Sequence, residues 1–126
     1  MALCLATALA TATVAANAFT LAWTHSIERV RWEETWRVEG QALVLDTVRV
    51  RGHGAGMEPA AGAVLRDGAW TWHPRTRHAL LRLTRSVHTV DYEWCEDGRP
   101  CVPLSALLPS DGGVTELRVC PAAAGR

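Results

Sequence analysis

F-T-L-A-W-T-H-S-I-E-R-V-R-W-E-E-T-W-R-V, residues 19–38, is the stretch that decides the fold class. Phe19, Leu21, Trp23 and His25 recur at every second position, and so do Val30, Trp32, Glu34, Trp36 and Val38. A period of two belongs to a β-strand, whose successive side chains point to opposite faces. Between the second set lie Arg31, Glu33, Thr35, Arg37 and Glu39, an alternating-charge ladder suited to a face in water. The stretch therefore reads as strand, turn, strand. A polar group on a face of large aromatics is costly to bury unless it has a partner. Glu34, between Trp32 and Trp36, thus requires a donor: an arginine, His25 or backbone N–H groups.

Working outward, the remaining segments are short, β-rich and separated by turn residues. Gly40-Gln41 turns into a strand over Ala42–Val50. Asp67-Gly68 sits between Ala63-Val64-Leu65 and Trp70-Thr71-Trp72, a two-residue hairpin signal. Ala79–Thr84 and Val87–Trp94 read as strands, the latter with Val90, Tyr92 and Trp94 on one face. Leu104–Leu108 fits a short helical turn, and Asp111-Gly112-Gly113 leads into a last strand, Val114–Cys120. Strand periodicity dominates and no segment offers an amphipathic helix of useful length. The expected fold is a single all-β domain over residues 1–126: an antiparallel β-sandwich or partly open β-barrel with little helix.

Residues 1–18 admit two readings. Ala16-Asn17-Ala18 resembles a signal-peptidase site, but no positive charge precedes it and Thr7, Thr11 and Thr13 interrupt the apolar run. The segment is also too short and too polar for a membrane-spanning helix. The favoured alternative is an N-terminal β-hairpin with strands near Leu3–Ala8 and Ala12–Ala16.

Composition narrows the function classes. With 126 residues, 48% hydrophobic and 21% charged, the chain is long enough for one globular domain with its own core. Its formal net charge is zero, so no long-range field steers it to nucleic acid or an anionic membrane. Six Trp accompany one Phe and one Tyr. Most suit a small core filled by large rings; the functional alternative is an exposed aromatic platform.

Four cysteines are present, Cys4, Cys95, Cys101 and Cys120. Cys95 and Cys101 flank a turn containing Asp97-Gly98, and Cys4 and Cys120 lie near chain ends that commonly meet. The even count suggests two disulfides, Cys95–Cys101 and Cys4–Cys120, and an oxidising compartment. A zinc site lacks a C-x-x-C pair; free buried thiols are the other alternative.

No catalytic signature is present. His25 and Ser26 are neighbours in a strand and point to opposite faces, which removes a serine–histidine pair; neither a nucleophile elbow nor a nucleotide-binding motif occurs. His25, Glu28, Glu34, His53 and Glu58 are of metal-ligand type without a metal-binding spacing, and a buried hydrogen-bond network explains them as well. Gly52-His53-Gly54-Ala55-Gly56-Met57 permits tight bends and, alternatively, an anion nest or a partner-binding loop.

Residues Phe19–Glu28 with their His25-Ser26-x-Glu28 element, Trp32-Glu33-Glu34, Trp36-Arg37-Val38 and Gly52–Pro59 resemble domain-of-unknown-function family 1850. Leu83-Thr84-Arg85-Ser86, Asp91–Cys95 and Cys101–Leu104 follow the same pattern. The resemblance implies a small bacterial protein whose gene neighbours encode a TAXI-type TRAP transporter, which pairs a solute-binding protein with a fused permease. It implies no catalytic residue and no cofactor, and it supports β structure over Leu3–Ala18. The expected role is a non-enzymatic accessory protein at the periplasmic face of the inner membrane. It would bind the permease or its solute-binding protein, reaching the membrane through that partner. Its working surface would comprise His25, Ser26, Glu28, Glu33, Glu34, Gly52, Gly54, Gly56 and Met57. The alternative is a periplasmic metal- or small-ligand-binding β domain using His25, Glu28, Glu34 and His53.

Overall fold

A computed structural model describes residues 1–24, 29–51 and 61–121. Its strands are β1 (Ala2–Ala6), β2 (Thr11–Val14), β3 (Ala18–Thr24), β4 (Arg31–Glu39), β5 (Ala42–Arg51) and β6 (Val64–Arg66). They continue with β7 (Ala69–Trp72), β8 (Thr76–His78), β9 (Leu81–Thr84), β10 (Glu93–Cys95), β11 (Val102–Pro103) and β12 (Val114–Cys120), and a 3-10 turn spans Leu104–Ala106. Two antiparallel sheets result. The small one runs β2-β1-β12-β9; the large one runs β11-β10-β3-β4-β5-β7-β6, with β8 also on β5. The sheets are separate and do not close into a barrel, so the sandwich form of the expected all-β fold is the one adopted.

The alternation in residues 19–38 produces the pairing it implies. β3 and β4 are antiparallel with Phe19 opposite Trp36, Leu21 opposite Glu34 and Trp23 opposite Trp32. β4 and β5 follow through the two-residue turn Gly40-Gln41, where Gly40 takes a φ of 62°. Asp67 and Gly68, at φ 50° and 76°, make the β6–β7 turn with both central residues left-handed, the geometry that matches strand twist in a hairpin.

β5 contains an irregularity that simple alternation hides. Thr35 pairs with Thr47 but Trp36 pairs with Leu45, so Asp46 is an extra residue. Such a bulge shifts the phase of the strand by one. Leu43 and Leu45 before it, and Val48 and Val50 after it, therefore share the inner face. The same point divides the outer edge of β5. β8 pairs with Leu43–Leu45 and β7 with Val48–Arg51, and His73 Nδ1 lies 3.3 Å from the Asp46 carbonyl where the chain passes between them.

The inner faces make the core. Leu3 and Leu5 of β1, Leu81 and Leu83 of β9 and Leu117 of β12 pack against Phe19, Leu21, Trp36, Leu43 and Trp94 of the large sheet, with Leu104 and Leu108 closing one side. Phe19 and Trp94 stack at 4.4 Å between centroids. The outer face of β4 carries the expected charge ladder. Arg31 pairs with Glu93 at 2.7 Å, Arg51 with Glu33 at 3.3 Å and Arg37 with Asp46 at 3.5 Å.

The disulfides are Cys4–Cys120 and Cys95–Cys101. The first joins β1 to β12, diagonal neighbours in register; the second closes the β10–β11 hairpin across directly opposed positions. Both pairings are those expected from the sequence. No helix among the described residues is long and apolar enough to cross a membrane.

One expected strand is corrected. Val87–Tyr92 is not extended: Ser86 accepts from the backbone N–H of His88 at 3.0 Å and turns the chain, and β10 begins only at Glu93. Val90 is 93% exposed while Trp94 is 1% exposed, so they do not share a face. A serine side chain bonding a nearby amide competes with the strand ladder, and here it prevails.

Candidate functional site

The two halves of the large sheet's inner face differ in what covers them. A second apolar cluster, Val30, Val48 and Val50 with Trp32, Leu45 and Trp72, contains no residue of the small sheet. Around it the aromatics form a continuous row. Tyr92 meets Trp23 edge-on at 5.4 Å, Trp23 lies nearly parallel to Trp32 at 6.1 Å, and Trp32 meets Trp72 edge-on at 6.3 Å. These four rings are all half-buried. Edge-to-face and offset arrangements are the favourable ones for aromatic quadrupoles, so the row is a stable surface in itself.

Glu34 sits within this surface, opposite Leu21 on β3 and Val48 on β5. Among the described residues its hydrogen-bond donor is the Trp36 indole, Nε1 to Oε1 at 3.4 Å, a long contact. Burial pushes its carboxyl above the usual carboxylate range, and the Trp36 bond opposes the rise without cancelling it. Desolvation disfavours the charged form unless donors replace the lost water. Next to it, the Trp32 Nε1 is buried with no hydrogen-bond partner among the described residues.

The row ends at a buried ion pair. Arg85 is 2% exposed. Its Nε and Nη2 donate to the two Asp91 oxygens at 3.1 and 2.7 Å, and Nη1 donates to the Leu108 carbonyl at 2.7 Å and to Thr115 Oγ1 at 3.2 Å. Forked pairing with extra acceptors is what a buried guanidinium needs to offset its desolvation. Asp91 in turn accepts from the Tyr92 N–H at 2.9 Å. Burial raises the Tyr92 phenol above its ordinary value; the Glu34 and Asp91 charges add to this and Arg85 opposes it. Between Trp23 and the Arg85–Tyr92 segment lies a cleft of about 170 Å³.

Of the residues expected to form a working surface, the two adjacent glutamates separate. Glu33 faces outward, with Arg31 at 4.0 Å and Arg51 at 3.3 Å, while Glu34 faces the aromatic row. Their alternation in β4 requires this. His25, Ser26, Glu28, Gly52, His53, Gly54, Gly56, Met57 and Glu58 lie outside the described residues. Among the described residues no group of three or more His, Cys, Asp and Glu is gathered as a metal site would need.

Composition and spacing do not by themselves mark Arg85, Asp91 and Tyr92 as site residues. A signal for Arg85 exists nonetheless. Leu81 and Leu83 mark the inward phase of β9, and continuing it places Arg85 at a core position. An arginine in an inward phase demands a carboxylate, and Asp91 is six residues further on.

A family model described as Domain of unknown function (DUF1850) matches residues 19–104. No curated protein and no solved structure matches the chain.

Proposed function

The chain belongs to the DUF1850 family, and from that premise we propose that it is a non-enzymatic, extracytoplasmic accessory protein of a TAXI-type TRAP transporter, docking on the permease or on its solute-binding protein. The observation that carries the docking role is the half-buried aromatic row beside Glu34, which starts at the edge of the core with Tyr92 and Trp23 and runs out to Trp32 and Trp72, where among the described residues no small-sheet residue joins the apolar cluster. Aromatic rings held on a rigid strand scaffold offer contact area at little cost in conformational entropy, and Trp and Tyr anchor interfaces for that reason. Beside the row, Val87 and Val90 project from the Ser86–Asp91 turn at 79% and 93% exposure. Two exposed valines next to half-buried aromatics form an apolar rim of the kind that partners cover. The two disulfides support an oxidising compartment, and the family resemblance supports the transporter.

The test is co-purification in mild detergent from native membranes, with the neighbouring permease read by mass spectrometry. Specific enrichment with the wild-type chain is expected, and it should disappear for Val87→Asp/Val90→Asp while the melting temperature stays within a degree or two, since both side chains are exposed. A wild-type chain that carries neither permease nor solute-binding protein overturns the proposal.

A further inference from the structure

The cleft beside Arg85 has a chemistry of its own, and its occupancy can be measured on the isolated protein, separately from any permease. We propose that this cleft binds a small, neutral, polyhydroxylated ligand of the size of one sugar ring.

Three features point to that class. The first is size. At about 170 Å³ the cleft is below the ~300–1,000 Å³ that drug-sized ligands occupy, which restricts it to a small ligand. The second is the mixture of surfaces. Trp23 and Tyr92 meet at an interplanar angle of 69°, making an apolar corner. The same cleft is lined by Thr84, Thr89 and Asp91; the Thr89 hydroxyl donates to the Ser86 carbonyl at 3.4 Å and keeps its oxygen lone pairs as acceptors. A sugar ring has the complementary surface: a C–H face that packs on an aromatic ring and a rim of hydroxyls that donate to a carboxylate and exchange hydrogen bonds with side-chain hydroxyls.

The third feature is charge. The guanidinium of Arg85 is already committed to Asp91, Leu108 and Thr115, and its charge is cancelled by Asp91. An anionic ligand would thus meet Asp91, and among the described residues that line the cleft there is no uncommitted cation. A cationic ligand would be placed beside a buried arginine. A neutral ligand meets neither penalty. The cleft is also preorganised. Asp91 is held by two bonds from Arg85 and by the Tyr92 amide, so its orientation is set before a ligand arrives, and its side chain keeps 23% exposure. Interactions fixed in advance of binding lose less freedom when the ligand docks.

The experiment is a two-dimensional NMR titration of the full chain, following the indole N–H resonances, with D-glucose, D-galactose, D-ribose and myo-inositol as probes. At least one probe is expected to shift the Trp23 indole saturably, with a Kd in the millimolar range. Thr84→Val and Thr89→Val each remove one hydroxyl of the cleft lining and keep the side-chain volume, so both should fold. Each is expected to raise that Kd about three- to tenfold, the worth of a single hydrogen bond. Thr13→Val, on β2 at the opposite edge of the small sheet from β9, should leave it unchanged. Three results overturn the proposal: no saturable shift with any probe up to about 100 mM, where even a 10 mM site would be largely filled; wild-type binding by both the Thr84 and the Thr89 variants; or a Trp23 response to acetate or tetramethylammonium that exceeds every sugar.

Discussion

Strands β3 and β4 run through two different environments, and the contrast explains much of this protein. At one end Phe19, Leu21 and Trp36 are sealed between the sheets, with Leu3, Leu5 and Leu117 packed on them. At the other end Trp32 and Glu34 occupy the same face of β4, yet they are only half-buried, and among the described residues no small-sheet residue joins the Trp32 cluster; Trp23, also half-buried, marks the boundary, since it still packs against the core. The two-residue period is identical in both halves. Coverage alone separates a packed core from an aromatic surface that holds an acid. A strand pattern states which residues share a face; it carries no information on how far a second layer extends over that face.

The largest expected effect tests what holds the covered end. Cys4–Cys120 spans a sequence separation of 116 and Cys95–Cys101 one of 6. On the chain-entropy model, removing the first as Cys4→Ala/Cys120→Ala should cost about 5 kcal/mol and removing the second about 2 kcal/mol. Urea unfolding of both double variants checks the ranking, and equal losses would show that loop length is not what matters here.

Next come two single substitutions, one in each region. Leu117→Ala empties a fully buried position between the sheets and should lose about 2–5 kcal/mol. Arg85→Met leaves Asp91 without its partner and should lose about 3 kcal/mol, the low end for a broken buried pair because Asp91 keeps some access to water. If the Arg85 variant is as stable as wild type, the ion pair does not anchor the turn that forms the cleft.

A smaller effect sharpens the contrast through pH. Glu34 has a raised carboxyl in the folded protein, so the native state holds its proton at pH values where the unfolded chain has released it. Its contribution to stability is then fully present below the ordinary carboxylate value of 4.5 and is lost as pH rises from there through the elevated value. Glu34→Gln should be more stable than wild type at pH 7, and the difference should shrink on acidification below about pH 4. Thermal melts across that range test it, and a pH-independent difference would mean that Glu34 is well paired in the folded state. The smallest effect belongs to the solvent side. Glu39 is exposed and bonds to Arg37 and, at 2.5 Å, to Arg77. Glu39→Gln should unfold within error of wild type, because exposed ion pairs contribute little.

Much of this was legible in the residues because the signals are local. The period of two over residues 19–38, the Asp67-Gly68 turn and the pairing of Cys95 with Cys101 each depend on a few neighbouring positions. Glu34 was recognisable as an acid on an aromatic face, since the phase of β4 alone places it there. Val87–Trp94 has the spacing of a strand but folds otherwise because the Ser86 hydroxyl accepts from a backbone amide, a competition that apolar spacing does not record. The site role of Asp91 and Tyr92 is not legible in the sequence for a related reason. They gain their meaning from Arg85, just past the end of β9, and from Trp23, brought to them on β3.

By itself, then, the sequence determined an all-β chain, the strand–turn–strand pattern of its central hairpin, the Cys95–Cys101 pairing and the presence of an acid among tryptophans, all through short-range periodicity and turn chemistry. The tertiary structure decided the rest. It set the division into two unequal sheets, the β5 bulge that keeps Leu43, Leu45, Val48 and Val50 on one face, and the part of the large sheet that the small one packs against. It also assembled the cleft where Trp23, Arg85, Asp91 and Tyr92 meet. These depend on contacts between segments far apart in the chain, whose free energy arises from packing and desolvation in three dimensions rather than from the preferences of any one segment.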